Sequence, residues 1–581
     1  MSYSPRTADQ CLALRINAGI EELSCHERFA ALTPDIVEAF VEGIGTFAAE
    51  EFAPLNRIGD IEGASLADGK VQLPPGFAEA YRSYVSAGWN GASAGIDHGG
   101  QGLPFALSCC VLENLGTANM AFSLLPMLTL GALDAVDRHG SDELKNLYLA
   151  KLASGEWPGT MNLTEPQAGS DVGALRTRAI KIEQGDDKGR YLISGTKIFI
   201  TWGDHELADN IVHLVLARTP DAPEGSKGIS LFLVPKFHVT ADGSPGVRND
   251  VRTVGLEHKL GIHASPTCVM SYGDDGRCIG DIVGRENEGL KAMFTMMNSA
   301  RISVGNQGVQ IAERALQQAL SYASDRIQSP RAGAADRAPV AIIEHPDVRR
   351  MLLRMRALTE AARALLYYTA GQIDRGGLDI PGAQQRAEVL VPMLKAWGTD
   401  IGFEVASLGV QVHGGMGFIE ETGAAQHLRD ARIPPIYEGT NGIQAADLVT
   451  RKLGFANGAV IAQLFDDIIA DSADTPPLRD LARACRELSC WLIAEASLDD
   501  RLGGSVPFLT MCAVAVAGWQ LLKQARAVGA LGDAGPAALS KPVISRFFIE
   551  HIVPEAGGLA AQVRSSSALL YALDRETLAA L

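Results

Sequence analysis

Apolar residues recur three or four positions apart over most of this chain, and one central stretch breaks that rhythm. The first periodic stretch holds Ile36, Phe40, Ile44, Phe47 and Ala48, then Phe77, Tyr81, Tyr84 and Val85. The same spacing continues through 106–115, 122–139 and 142–152, which predicts an N-terminal helical domain over 36–158. Residues 1–35 read as an extension ahead of it, with a short helix over 15–23 and an end near Thr33-Pro34. A loop at 91–103 carries Gly95, Gly99, Gly100 and Gly102. It matches no phosphate-loop spacing and reads as a flexible connection.

The period changes at Gly159. Runs at 191–201, 210–217, 228–235 and 264–272 are short, rich in β-branched or aromatic residues, and separated by turn formers such as Gln184-Gly185-Asp186-Asp187-Lys188-Gly189. They predict a middle antiparallel β domain over 159–282. Helical spacing returns over 292–324, 346–375, 383–408 and 441–453, enough for a C-terminal four-helix bundle at 283–453. Further stripes at 464–469, 478–498, 508–531 and 543–552 predict an additional C-terminal helical domain at 454–581, because a helix apolar on one face needs a partner to cover it. The predicted fold class is an α+β multidomain chain with these four parts after the extension.

Composition then narrows the function. With 581 residues, 47% hydrophobic and 20% charged, the chain is long enough for several packed domains. A net charge of −17 argues against a nucleic-acid partner, since phosphate binding needs a clustered basic footprint. One local basic pocket for a phosphorylated ligand stays compatible with it. The nine cysteines include Cys109-Cys110 but no Cys-x-x-Cys pair, so no metal site is expected, and free thiols suit a cytoplasmic location. Residues 1–10 hold no apolar signal core. The most hydrophobic stretch, 121–136, is shorter than a bilayer needs, so no stable membrane insertion is expected.

The candidate chemistry concentrates in Ile433-Pro434-Pro435-Ile436-Tyr437-Glu438-Gly439-Thr440-Asn441-Gly442. One carboxylate, Glu438, stands between an apolar run and a glycine-bracketed Thr-Asn pair that can open a helix. Two readings are open from these residues. Glu438 is either part of a solvated turn or a general base whose pKa apolar surroundings raise toward neutrality. The stretch 161–171 is small and hydroxylated, leaving backbone amides open to the edge of a planar cofactor or forming a turn with an Asp cap. The stretch 411–418 ends the third bundle helix with glycines that allow close backbone approach, and His413 reads as a packed helix-end histidine.

Three motifs in this order resemble the acyl-CoA dehydrogenase family. They are Leu163-Thr164-Glu165-Pro166-x-Ala168-Gly169-Ser170-Asp171, then Gly414-Gly415-x-Gly417-Phe418 with Arg429-Asp430-Ala431, then Ile436-Tyr437-Glu438-Gly439-Thr440. The resemblance spans about 36–453. The extra C-terminal segment and His263-Ala264-Ser265-Pro266-Thr267-Cys268 look like the longer branch of the family, that of 3-methylmercaptopropionyl-CoA dehydrogenases and related bacterial fatty acyl-CoA dehydrogenases.

What the resemblance implies is specific. FAD lies between the β domain and the bundle, with Leu163, Thr164, Phe199 and Thr201 along its isoalloxazine and Ser170 near the acyl-CoA or the flavin edge. Arg326 and Gln328 fall where the family holds the pyrophosphate of a neighbouring subunit's FAD. Gln411, Gly414 and Gly415 fall at its adenosine side, across a dimer interface. Thr440 and Gly442 correspond to cofactor contacts beside the base, and Arg301, Tyr437 and Gly439 join Ser170 as substrate-side residues. Glu438 corresponds to the base, and the alternative base position holds Ala300, so no second carboxylate competes. The implied reaction is removal of the α-proton by Glu438 and transfer of the β-hydride to flavin N5, giving a trans-2-enoyl-CoA. A homodimer or dimer of dimers and an electron-transfer flavoprotein as acceptor are implied as partners. Two positions depart from the family: Ile327-Gln328-Ser329-Pro330 replaces its usual aromatic pair, and Trp202 follows Thr201 where a small polar residue is commoner. Two rival functions share the fold, an acyl-CoA oxidase that passes electrons to oxygen and a DNA-binding flavoprotein relative. The segment from Phe455 onward carries 14 Asp/Glu against 10 Lys/Arg, which counts against the second.

Overall fold

The computed structural model describes residues 3–531 and 536–580; residues 1, 2, 532–535 and 581, within the expected extension and extra C-terminal domain, lie outside that set. The chain forms two compact units. Of the described residues, one unit holds 3–5 with 43–300, and the other holds 6–42 with 301–531 and 536–580.

The first unit holds the helices Leu55–Glu62, Phe77–Ser86, Phe105–Ala118, Met120–His139 and Asp142–Ser154. Asn119 starts Met120–His139 by accepting from the Phe122 amide at 3.1 Å, and Ser141 starts the next helix from the Leu144 amide at 3.3 Å. Phe122 stacks on Phe52 at 4.3 Å between ring centres, in an aromatic core with Phe77 and Tyr81. A small hairpin, Ser65–Ala67 with Lys70–Gln72, went unforeseen because three-residue strands are too short to show a period. The glycine-rich loop is also tighter than expected. Gln101 N–H donates to Gly91 O, Gly102 N–H to Ala94 O and Leu103 N–H to Ala92 O, all at 2.9 Å.

The same unit carries an eight-stranded sheet in the order Val251–Leu256, Thr267–Tyr272, Tyr191–Thr201, Ile279–Val283, Ser230–Pro235, Val212–Ala217, Gly159–Asn162, with Arg178–Lys181 also paired to Tyr191–Thr201. It is antiparallel except for its last pair, where Gly159–Asn162 runs parallel to Val212–Ala217. Within Tyr191–Thr201 the residues Tyr191, Ile193, Lys197 and Ile200 point inward. The step from Ile193 to Lys197 keeps the two-residue period, and the step to Ile200 breaks it. At that break Cys268 pairs with Ile200 and Met270 with Lys197, so an extra residue bulges out of the strand.

The second unit holds most of the bundle. The long helices Gly289–Asp325 (from Arg301 on), Pro346–Gly377 and Ala383–His413 are joined by Asn441–Thr450. The first and third cross at glycines, where a Cβ added to Gly308 would stand 1.9 Å from Gly398 O. No side chain fits there, so the two backbones touch and the side chains around the crossing are brought together. The extension forms Thr7–Ala13, a wide π turn at Leu14–Ala18 and Ile20–Leu23 after Gly19 at φ 74°. Its helix therefore begins earlier than expected and breaks where only glycine turns easily. Asn17 donates to Gln520 Oε1 at 3.1 Å and so ties the extension to Ser505–Leu531 of the C-terminal segment. The expected stripe over 478–498 divides into Pro476–Ala494 and Leu498–Gly503, because Ser497 caps a new helix through the Asp500 amide.

Among the described residues, three helices are long and apolar enough to cross a membrane by length and composition. Met120–His139, at 20 residues, outruns the apolar stretch read from sequence. It and Ser505–Gly529 are apolar all round yet 83% and 78% buried within the protein, as core helices are.

Candidate active site

The residues of the first unit expected beside a cofactor gather where the edge strand Gly159–Asn162 runs out against Tyr191–Thr201. Leu163 and Thr164 continue the strand Gly159–Asn162, and Thr164 O accepts from the Ile198 amide at 2.9 Å. The bulge leaves Phe199 in the left-handed region at φ 60° and 57% exposed beside this strip. Thr201 O accepts from Thr160 Oγ1 at 2.8 Å, which fixes the far end. A buried ion pair fixes the near end. Lys197 Nζ donates to Leu163 O at 3.0 Å and to Glu165 Oε1 at 2.8 Å, and Glu165 also accepts from Thr177 Oγ1 and the Arg176 amide, both at 2.6 Å. Burial opposes the Glu165 charge, yet Lys197 and these hydrogen bonds outweigh it and hold the carboxyl at about 2. Burial lowers Lys197 to about 8 against the pull of Glu165. Ser170 and Gly169 are exposed on the following loop, and a Cβ on Gly169 would meet nothing within 4 Å. An exposed ring beside a hydrogen-bonded backbone strip suits the face of a planar cofactor. Trp202 does not line that edge. It is fully buried and donates its indole N–H to Ala121 O at 3.2 Å, so this departure from the family packs inward.

The second unit builds a different cluster. Residues 433–440 turn tightly, with the Ile436 amide donating to Ile433 O at 2.8 Å, and Thr440 Oγ1 then caps Asn441–Thr450 through the Ile443 amide at 3.2 Å. Glu438 and Gly439 both take left-handed backbone, φ 58° and 83°. For a glutamate that conformation costs ~1–2 kcal/mol and persists only where the surroundings enforce it. They do so here: Gln444 Nε2 donates to Glu438 O at 3.2 Å, and Lys395 Nζ donates to Gly439 O at 2.7 Å and to Asn441 Oδ1 at 2.9 Å. Tyr437 OH donates to Gln307 Oε1 at 2.5 Å.

Electrostatics single out Glu438. Desolvation raises its carboxyl above the ordinary glutamate range, and the positive charges of Arg301 and Lys395 only partly offset this. Desolvation in turn lowers Arg301 and brings Lys395 down to about 7, with Glu438 opposing both. Tyr437 is pushed up by burial and then by the neighbouring Glu438. A carboxyl with this balance holds its proton more tightly than an ordinary glutamate, as a general base for a weakly acidic proton requires. Ala300 is 3% exposed and carries only a methyl.

The remaining expected residues stand elsewhere. Arg326 and Gln328 are exposed and paired to each other at 3.2 Å, just past the end of the helix that begins with Gly289. Arg301 and Arg326 are 25 residues apart, roughly 37 Å along a helix. Gln411, Gly414 and Gly415 are exposed where Ala383–His413 ends, Gly414 at φ 62°, and Gly442 is exposed at the start of the next helix. His413 stacks on Tyr322 at 4.4 Å and bonds Gly409 O, a packing role. Sequence reading passed over Lys395, Gln307, Gln444 and Lys197. The two lysines carried a signal: Lys395 is the one charge in Val389-Leu390-Val391-Pro392-Met393-Leu394-Lys395-Ala396-Trp397, and Lys197 stands at an inward position of its strand.

Comparison with known proteins covers nearly the whole chain. Family models match at residues 35–156 (acyl-CoA dehydrogenase, N-terminal domain), 160–274 (middle domain) and 287–453 (C-terminal domain). A fourth, described as acetyl-CoA dehydrogenase C-terminal like, matches 462–574. The chain is 48% identical to the 3-methylmercaptopropionyl-CoA dehydrogenase of Ruegeria pomeroyi over 90% of each sequence. It is 32% identical to a broad-specificity linear acyl-CoA dehydrogenase of Mycobacterium tuberculosis, covering 95% of this chain and 96% of that one. Among solved structures, an acyl-CoA dehydrogenase of Bacillus anthracis complexed with FAD shares the fold at TM-score 0.72 and 21% identity, over 94% of this chain and 89% of that one.

Proposed function

We propose that in this chain, which belongs to the acyl-CoA dehydrogenase family, Glu438 is the base that takes the α-proton of an acyl-CoA thioester. The chain is an FAD-dependent enzyme that dehydrogenates acyl-CoA. The observation that carries the role of Glu438 is its desolvated carboxyl, held on a left-handed turn between Arg301 and Lys395. A thioester α-proton is too weakly acidic for an ordinary carboxylate in water. A raised carboxyl pKa narrows the gap, and a donor to the thioester oxygen stabilises the charge that develops there. We assign that donor to the backbone N–H of Glu438, with Arg301, Tyr437, Gly439 and Ser170 orienting the substrate. Bound FAD supplies the acceptor for the β-hydride. Leu163, Thr164, Phe199 and Thr201 would hold its flavin end, and Thr440 and Gly442 are assigned as cofactor contacts from the family resemblance.

Arg326, Gln328, Gln411, Gly414 and Gly415 serve a second copy of the chain. At roughly 37 Å along the helix from Arg301, Arg326 is beyond the reach of a dinucleotide whose flavin lies beside Glu438. We therefore assign the enzyme to a homodimer or dimer of dimers in the cytoplasm, where nine free cysteines stay reduced. Its electrons go to an electron-transfer flavoprotein. Its substrate is a fatty acyl-CoA or 3-methylmercaptopropionyl-CoA, the latter being the compound in the name of the 48% identical relative.

Anaerobic stopped-flow with a panel of acyl-CoAs tests the reading. Wild type should bleach the flavin absorbance, faster as pH rises through the Glu438 pKa, and Glu438→Gln should bind FAD and acyl-CoA without bleaching. A Gln variant that bleaches within about tenfold of wild type places the base elsewhere. Turnover with oxygen as fast as with a one-electron dye would identify an oxidase instead.

A further inference from the structure

We propose that Lys395 is a positioning residue for the reaction, whose ammonium ties the third bundle helix to the Glu438 turn and supplies the charge that sets when the base is ready. The inference rests on Glu438 being the base. Lys395 is fully buried on Ala383–His413, in an apolar run that offers it no other charge to meet. An isolated buried ammonium is strongly disfavoured, so its partners define why it is there. Two of its three N–H donors go to the turn, one to Gly439 O at 2.7 Å and one to Asn441 Oδ1 at 2.9 Å. Gly439 is the residue immediately after Glu438, and its carbonyl is the group whose direction the left-handed backbone decides. Asn441 closes the lattice from the other side: its amide donates to Ala396 O at 3.1 Å, Thr399 Oγ1 at 3.0 Å and Asp400 Oδ1 at 2.8 Å. Four residues of one rigid helix thus grip the peptide units that follow the base.

The ammonium also acts through space. Glu438 faces Arg301 from the first bundle helix and Lys395 from the third. Lys395 faces Glu438, Asp400 and Arg301, and Arg301 also feels Asp447 and Arg451 of the helix that follows the turn. Desolvation moves Lys395 down to about 7 and moves Glu438 up, and each favours the charged form of the other. Removing the positive charge should therefore keep Glu438 protonated to higher pH. A lysine that served packing alone would leave the pH at which the base ionises untouched.

The test compares the FAD-loaded wild type, Lys395→Met and Lys395→Gln in anaerobic flavin reduction across neutral and alkaline pH. Methionine keeps the length of the side chain but neither donor nor charge. Glutamine keeps donors toward Gly439 O and Asn441 Oδ1 without the charge, and decides the matter should the methionine variant fail to fold. The expected result is FAD content and acyl-CoA binding near wild type, a rise in rate displaced upward by about one pH unit in both variants, and a rate near neutrality lower by about tenfold. The methionine variant alone should also lose limiting rate at high pH, because its turn is no longer gripped. A Glu438-dependent profile that stays at the wild-type pH in a folded, FAD-loaded variant overturns the inference, whether or not the overall rate falls. Glu438→Gln run alongside separates the two failures: if it still reduces the flavin, the base assignment falls, and if it is inert while the Lys395 variants keep the wild-type profile, only the role of Lys395 falls.

Discussion

Two regions of the bundle unit bury charge and use it in opposite ways. Around Asp9 the charges are matched at contact distance. Lys541 Nζ bridges Asp9 at 3.0 Å and Glu360 at 2.8 Å, Arg356 reaches Asp9 at 2.9 Å and also pairs with Glu360, and Arg363 meets Glu313 at 2.8 Å. Burial opposes ionisation of Asp9 and Glu313, yet the surrounding cations win and hold both carboxyls below the ordinary range. This network joins the extension, the bundle and the C-terminal segment. At Glu438 the balance is reversed: desolvation wins over Arg301 and Lys395, and the carboxyl is raised. The lesson is that burial alone makes neither stability nor reactivity. A buried carboxylate matched by close cations locks elements together, and one left under-compensated keeps a proton equilibrium available for chemistry.

The strongest way to break this comparison is Glu438→Gln. Flavin reduction should fall by ~10⁴, at the top of the range for a lost general base. Unfolding temperature should stay level or rise, since a desolvated acid is replaced by an amide of equal size. A large drop in thermal stability, measured by calorimetry, would place Glu438 in the structural class instead.

Lys541→Met should do the converse. Losing one partner of a buried network costs ~3–5 kcal/mol, read from denaturant unfolding, while flavin reduction per bound FAD stays at wild-type rate. Asp9→Asn combined with Lys541→Met removes one charge of each sign and should cost less than the two single changes added together.

Acid titration sharpens the contrast. The Asp9 carboxyl is held down in the fold, so its stabilisation is full above the unfolded value of about 3.9 and is lost as pH falls below it. Asp9→Asn should flatten the acid limb of the stability curve by up to ~1.4 kcal/mol per pH unit below that point. An unchanged acid limb would show that other carboxyls govern acid unfolding. The smallest effect belongs to Tyr437→Phe. It removes the bond to Gln307 and should change flavin reduction by less than about tenfold, in keeping with ~0.5–1.5 kcal/mol for one neutral hydrogen bond.

Much of this was legible in the chain itself. The helical periods of 122–139, 346–375 and 383–408 and the short strands after Gly159 carry the fold class, because burying one face forces a repeat in the residues that cover it. The motif around Glu438 is also local, since a turn of consecutive residues needs its Pro, Gly and Thr-Asn pair in order. What sequence left open was whether that carboxyl is solvated. Only packing decides it, because the groups that desolvate and face Glu438 lie far along the chain: Arg301 is 137 residues before it and Lys395 is 43 before it. The apolar surroundings of Lys395 and Lys197 in sequence mark them as buried but not what they meet, and the bulge that exposes Phe199 depends on a register set by another strand. Periodicity reports which face of an element is covered. Which distant charge ends up opposite which depends on how the elements cross, and that is written in tertiary structure alone.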